Sequence, residues 1–125
     1  MIKYIFICSL MLVTGFCRAG EVTADSKQEI EHLFNFMETS GCQFNRNGSW
    51  YSGAEAAAHI RKKYEYLINK KMLTDAESFI DKAASESSFS GKPYVVKCAG
   101  KADTTSALWF KQELDAYRVA AKSQT

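Results

Sequence analysis

"CQFNRNGSWYSGAE", residues 42–55, holds a strand, a turn, a second strand and a helix start within one short run. Cys42–Asn45 and Ser49–Tyr51 have strand character, and Asn47-Gly48 between them tolerates the two positive φ angles of a tight hairpin turn. Ser52-Gly53-Ala54-Glu55 then spells a capping box, in which a serine hydroxyl and a glutamate carboxylate satisfy each other's backbone N–H groups. A hairpin that runs straight into a helix excludes an all-helical chain. It predicts an α+β fold.

Working outward, helical periodicity appears on both sides. Ser26-Lys27-Gln28-Glu29 reads as a capping box opening a first helix, with Ile30, Leu33, Phe34 and Met37 on one stripe and Gly41 at its exit. The helix after Ser52 carries Ala56, Ile60, Tyr64 and Leu67. Thr74-Asp75-Ala76-Glu77 opens a third, with Ala76, Phe79, Ile80 and Ala83 inward. A fourth is expected from about Asp103 or Thr104, carrying Ala107, Phe110, Leu114, Tyr117 and Ala121, with a frayed tail at 122–125. Tyr94–Lys97 reads as one more strand, with Pro93 at its entrance where no ladder N–H is lost. The architecture expected is a small antiparallel sheet, hairpin plus one strand, packed with about four short helices.

The N-terminus has the three parts of a secretory signal peptide: Lys3, the apolar run Tyr4–Val13, and Cys17-Arg18-Ala19 before the cut. The run is too short to span a bilayer. A lipobox at Cys17 fails on Phe16, which is bulky where a small residue is needed. The expected organisation is a leader at 1–19 and a single small periplasmic domain at 20–125. The chain has 16 Lys+Arg and 14 Asp+Glu, and loss of Lys3 and Arg18 leaves 14 of each sign. Such a balance gives no long-range field to draw in nucleic acid or an anionic membrane.

Cys8 and Cys17 leave with the leader, so Cys42 and Cys98 remain as a pair in an oxidising compartment. They are expected to bridge. There is no CxxC, and only His32 and His59 could join the cysteines. No metal site or cofactor is therefore expected.

"SESSFSGKPYVVKC", residues 85–98, invites a phosphate-loop or nucleophile reading. A P-loop needs Gly where Glu86 stands and Ser or Thr where Pro93 stands. Neither a G-x-S-x-G elbow nor an S-x-x-K pair is present. Serines after a helix end favour turns and offer hydroxyls to unpaired carbonyls, which explains the stretch as a connection.

"FNRNGSWYSGAEAAAHIRKKY" followed by "TDAESFIDKAASESSFSGKPYVVKC" resembles the YfeK-like family of small exported bacterial proteins of unknown function. The resemblance rests on Arg46-Asn47-Gly48, on the Ala/Glu-rich helix with His59 and Lys63, and on Ala-Glu-Ser-Phe-Ile and Ser-x-Ser-Gly-Lys-Pro-Tyr. It runs from about Ile30 to Leu114. It implies a periplasmic address, and no activity, catalytic residue or cofactor.

Glu55, His59 and Lys63 recur every four residues and share one helix face. A histidine oriented by a carboxylate can act as an acid or base, although a partly buried histidine bonded to a loop is the plainer reading. Of Trp50 and Tyr51, strand alternation turns one inward. Arg46, Trp50, Tyr51, His59, Ser88, Ser90, Lys92 and Tyr94 form the candidate binding set, able to hold a carboxylate, a sugar or a peptide terminus. The function expected is a non-enzymatic binding or interaction module of the cell envelope. Its partner would be a periplasmic protein or a small polar ligand, with no nucleic acid and no integral membrane segment. The alternative is a small periplasmic hydrolase using Ser88 or Ser90 with His59.

Overall fold

The computed structural model describes residues 21–124. The leader, its cleavage site and Cys8 and Cys17 lie outside those residues. The elements are α1 (Ala24–Thr39), β1 (Gln43–Arg46), β2 (Ser49–Ser52), α2 (Gly53–Asn69), α3 (Ala76–Ala83), β3 (Val95–Lys97), β4 (Thr104–Thr105) and α4 (Ser106–Lys122). The four strands form one antiparallel sheet in the order β2-β1-β3-β4. α2 and α4 lie against the sheet, and α1 and α3 pack on both of them. The fold is α+β, with one strand more than the sequence predicts. At two residues, β4 is too short to show a period.

The hairpin forms as its residues require. Asn47 and Gly48 take φ values of 52° and 88°, and Gly48 N–H bonds the Asn45 side chain at 3.1 Å. Phe44 pairs with Tyr51 on one side and Val96 on the other, so these three side chains share the sheet face turned to the helices. Trp50 pairs with Asn45 and lies on the opposite, open face. One step beyond the Gln43–Lys97 pair, Cys42 and Cys98 are disulfide-bonded with their Cα atoms 4.5 Å apart.

The stripes of α1 and α3 are buried as read: Ile30, Leu33, Phe34 and Met37, then Ala76, Phe79, Ile80 and Ala83. In α2 it is Ala57 rather than Ala56 that is buried, with Ile60, Tyr64 and Leu67. In α4, Phe110 and Leu114 are buried, Ala121 is exposed, and Trp109, absent from the expected stripe, is seated among Phe36, Phe44 and Phe110. α4 also extends into the expected tail, as far as Lys122.

Three helix starts differ from the reading. Thr23, not Ser26, caps α1, accepting from Ser26 N–H at 3.2 Å. Asp75 caps α3 in a box with Ser78, rather than Thr74 with Glu77. The acids of the two expected boxes have a common partner: Arg118 of α4 binds Glu29 at 2.6 Å and also Glu77. A cross-helix ion pair has taken both carboxylates from their local role. Thr105 caps α4, two residues late, because Thr104-Thr105 is spent on β4. The Ser52–Glu55 box on α2 is formed in both directions. Its next residue, Gly53, is buried with its Cα against the Met37 carbonyl of α1, where a Cβ would collide with the oxygen. That contact brings the start of α2 against the end of α1.

Candidate functional site

β1 and α2 bring Arg46 and His59 together. The inward parity that buries Phe44 also turns Arg46 toward α2, where His59 sits one turn past Glu55. Arg46 Nη1 lies 2.7 Å from Nδ1 and 2.8 Å from Nε2 of His59. A guanidinium has donors only, so the imidazole must be neutral for either nitrogen to accept. Burial, followed by the charges of Arg46, Lys63 and Lys62, holds the His59 pKa below the usual histidine value, consistent with that requirement. Arg46 also lies over the Tyr51 ring at 5.2 Å. No carboxylate pairs with Arg46 among the described residues.

Beside this pair is a cavity of about 300 Å³. Its apolar wall is Met37, Phe44, Ala56 and Ile60, and its polar groups are Arg46, His59, Tyr51, Tyr94, Asn45, Glu55 and Ser106. Ser106 is committed to the fold, since its buried hydroxyl donates to the Ala84 carbonyl at 2.5 Å. Tyr94 enters from the start of β3 with its hydroxyl 3.2 Å from Lys63 Nζ, which also donates to the Glu86 carbonyl at 2.9 Å. Burial raises the Tyr94 pKa. Burial also lowers the Lys63 pKa; the Glu86 carboxylate opposes that and the Arg46 charge adds to it.

The candidate set is therefore divided. Arg46, Tyr51, His59 and Tyr94 converge on the cavity. Ser90, Lys92 and Ser88 belong to the connection between α3 and β3. There the Ser87 hydroxyl accepts from Phe89 and Ser90 N–H at 3.3 and 3.4 Å, and the Ser90 hydroxyl donates to Asn47 at 2.5 Å. The Ser90 hydroxyl further accepts from Lys92 N–H at 3.3 Å. These serines cap a turn and pin it to the hairpin. Neither Ser88 nor Ser90 is hydrogen-bonded to His59, whose partner is Arg46, so the nucleophile–base contact of a hydrolase is not formed. Trp50 is 43% exposed on the open face under the Lys97 ammonium, 5.7 Å from its ring centre.

Met37, Ala56 and Ile60 complete the cavity and were read only as core. Sequence shows their apolar character but not a void beside them. Among the described residues no group of three or more His, Cys, Asp and Glu could hold a metal. A second, shallow groove of about 330 Å³ lies near the disulfide, between Phe36, Cys98 and Trp109, and its charges, Lys101 and Glu113, are of opposite sign. The hairpin-end cavity differs in its apolar wall and in the Arg46–His59 contact at its edge.

These features define an α+β fold with a sheet over helices and a cation-edged pocket beside its hairpin. The chain belongs to a family of unknown function, DUF5329, whose model matches residues 24–118. Over 76 residues it is 40% identical to the uncharacterized protein YfeK of Salmonella typhimurium (strain LT2), an alignment covering 60% of this chain and 62% of that protein. The chain thus spans less than two thirds of the relative's length. No solved structure matches it significantly.

Proposed function

We propose that this chain is an exported, non-enzymatic binding module of the cell envelope, in which residues 20–125 form one periplasmic domain behind a leader at 1–19. The pocket at the hairpin end would take a small amphiphilic carboxylate, with its apolar body against Phe44, Met37 and Ile60 and its head on Arg46. The observation that carries this reading is Arg46 itself. A guanidinium beside an apolar cavity, facing a neutral imidazole and lacking an acidic partner, offers a bidentate fork to an incoming carboxylate. At about 300 Å³ the cavity is at the small end of ligand pockets, which favours a short aliphatic or aromatic acid. Tyr51 and Tyr94 also line the cavity.

Calorimetric titration of hexanoate, with hexanol and hexylammonium as controls of equal chain length, tests this. The expected result is binding of the acid alone and its loss in Arg46→Ala. Equal binding of acid and alcohol, or undiminished binding by Arg46→Ala, would reject the carboxylate reading.

A further inference from the structure

Phe89 is 97% exposed, the most exposed of the large apolar side chains among the described residues. It is not on a loose loop. The Ser87 hydroxyl caps its N–H, Gly91 N–H returns to the Ser87 carbonyl at 2.8 Å, and Ser87 N–H bonds the Lys92 carbonyl at 3.0 Å. Asn47 bonds the hydroxyls of both Ser87 and Ser90, tying the turn to the hairpin. The turn thus holds a phenyl ring out in water.

Lysines lie to one side of the turn. The adjacent residue, Ser88, lines a groove with Lys62, Lys63, Tyr66, Leu67 and Lys82. Tyr66 is 59% exposed on the same stretch of α2, and Met72, whose carbonyl accepts from Lys82 Nζ at 2.7 Å, is 46% exposed. Residues 61–71 hold Arg61, Lys62, Lys63, Lys70 and Lys71 against the single acid Glu65. Along α1 the balance is reversed, with Asp25, Glu29, Glu31 and Glu38 against Lys27. Glu31 is bonded to Arg61 at 2.9 Å and Glu29 to Arg118 at 2.6 Å, so the lysines of the groove, not Arg61, form the local cationic cluster within an even net charge.

We propose that the Phe89 turn and the lysine-lined groove beside it dock peripherally on an anionic phospholipid surface, with Phe89 as the inserted anchor. A protruding apolar tip beside a groove edged by Lys62 and Lys82 suits a lipid interface, where the ring enters the acyl boundary and these lysines meet phosphate. A protein partner fits less well, because lysine is depleted at protein interfaces, which favour tryptophan, tyrosine and arginine on broad patches. This inference is independent of the carboxylate pocket, since none of its residues lines that cavity.

Co-sedimentation with vesicles of phosphatidylcholine alone, and of phosphatidylcholine mixed with phosphatidylglycerol, tests it. The protein is expected to bind the mixed vesicles only and to be released by high salt. Phe89→Ala is expected to weaken partition roughly tenfold or more, from the loss of one buried ring. Lys62→Glu with Lys82→Glu is expected to weaken it at least as much, with unchanged circular dichroism and melting temperature, and Arg46→Ala to leave it unchanged. Failure to bind mixed vesicles, equal binding to neutral ones, or wild-type partition by Phe89→Ala would each overturn the proposal. A soluble protein captured through Phe89 without vesicle binding would assign the patch to a protein partner instead.

Discussion

β1 is only four residues long, yet its two ends are built on opposite rules. At the Gln43 end, Cys42 is bonded to Cys98, and Trp109 stacks on Phe36 at 4.6 Å and meets Phe44 edge-on at 5.3 Å. At the Arg46 end the inward position passes from a phenyl ring to a guanidinium, and a cavity lies where packing would otherwise continue. The first end is closed by a covalent clip and aromatic contacts. The second is held by hydrogen bonds among Arg46, His59, Lys63 and Tyr94, and by the Asn47 contacts to the α3–β3 connection. The comparison teaches a division along one strand: one end is closed by a covalent clip and packing, and the other leaves a cavity edged by polar groups, which the proposed function assigns to a ligand.

The strongest way to break that division is to remove the clip. The bridge closes a sequence separation of 56 residues, and Cys42→Ser with Cys98→Ser is expected to lower stability by about 4 kcal/mol in guanidinium unfolding. Carboxylate affinity, measured where the variant is still folded, is expected to persist. Loss of affinity with the fold intact would show that the two ends are not independent. Gly53→Ala comes next, since the new methyl meets the Met37 carbonyl. A loss of about 1–3 kcal/mol is expected in the same assay, and a neutral result would mean that α2 can shift its start without strain.

Arg46→Ala is expected to have the inverse profile: a stability change of less than about 1 kcal/mol, as the side chain has no ion pair to lose, together with loss of hexanoate binding. If it unfolds the domain, the hairpin end is scaffold. The smallest effect is a matter of pH. His59 has a lowered folded-state pKa, so its contribution to stability is fully present above the unfolded histidine value of about 6.5. Between that value and its folded one the unfolded chain binds the extra proton, so stability falls as pH falls through this window. His59→Gln is expected to flatten the slope of melting temperature against pH there, and an unchanged slope would show that another group governs it.

Much of the fold is legible in the sequence. The stripes of α1 and α3, the Asn47-Gly48 turn, the Ser52–Glu55 box and the cysteine pair are local patterns or simple counts, and the structure has each of them. What failed was non-local. Glu29 and Glu77 each stand at the third position of a plausible capping box, and nothing near them in sequence announces Arg118. Trp109 lies off the expected stripe of α4 because its partners come from α1 and the sheet. For the site, residue chemistry singled out Arg46, His59 and Tyr94, but only the strand register separates Tyr51 on the pocket side from Trp50 on the open face. The serines stand out by composition, and the hydroxyls of Ser87 and Ser90 are occupied by the turn and its tie to the hairpin.

The central claim is that Arg46 and a neutral His59 form a receptor for a carboxylate head, and the titration of His59 itself tests it most directly. In proton–nitrogen spectra, with His59→Gln used to assign the two histidines, His59 is expected to titrate below the ordinary histidine range without ligand. Saturating hexanoate places a negative charge beside the ring and favours the imidazolium, so its pKa is expected to rise; by linkage, affinity grows as the pH is lowered through that range. The rise is expected to vanish in Arg46→Ala. A His59 that titrates at or above the ordinary value in the free protein, or one that saturating carboxylate leaves unmoved, would contradict the account.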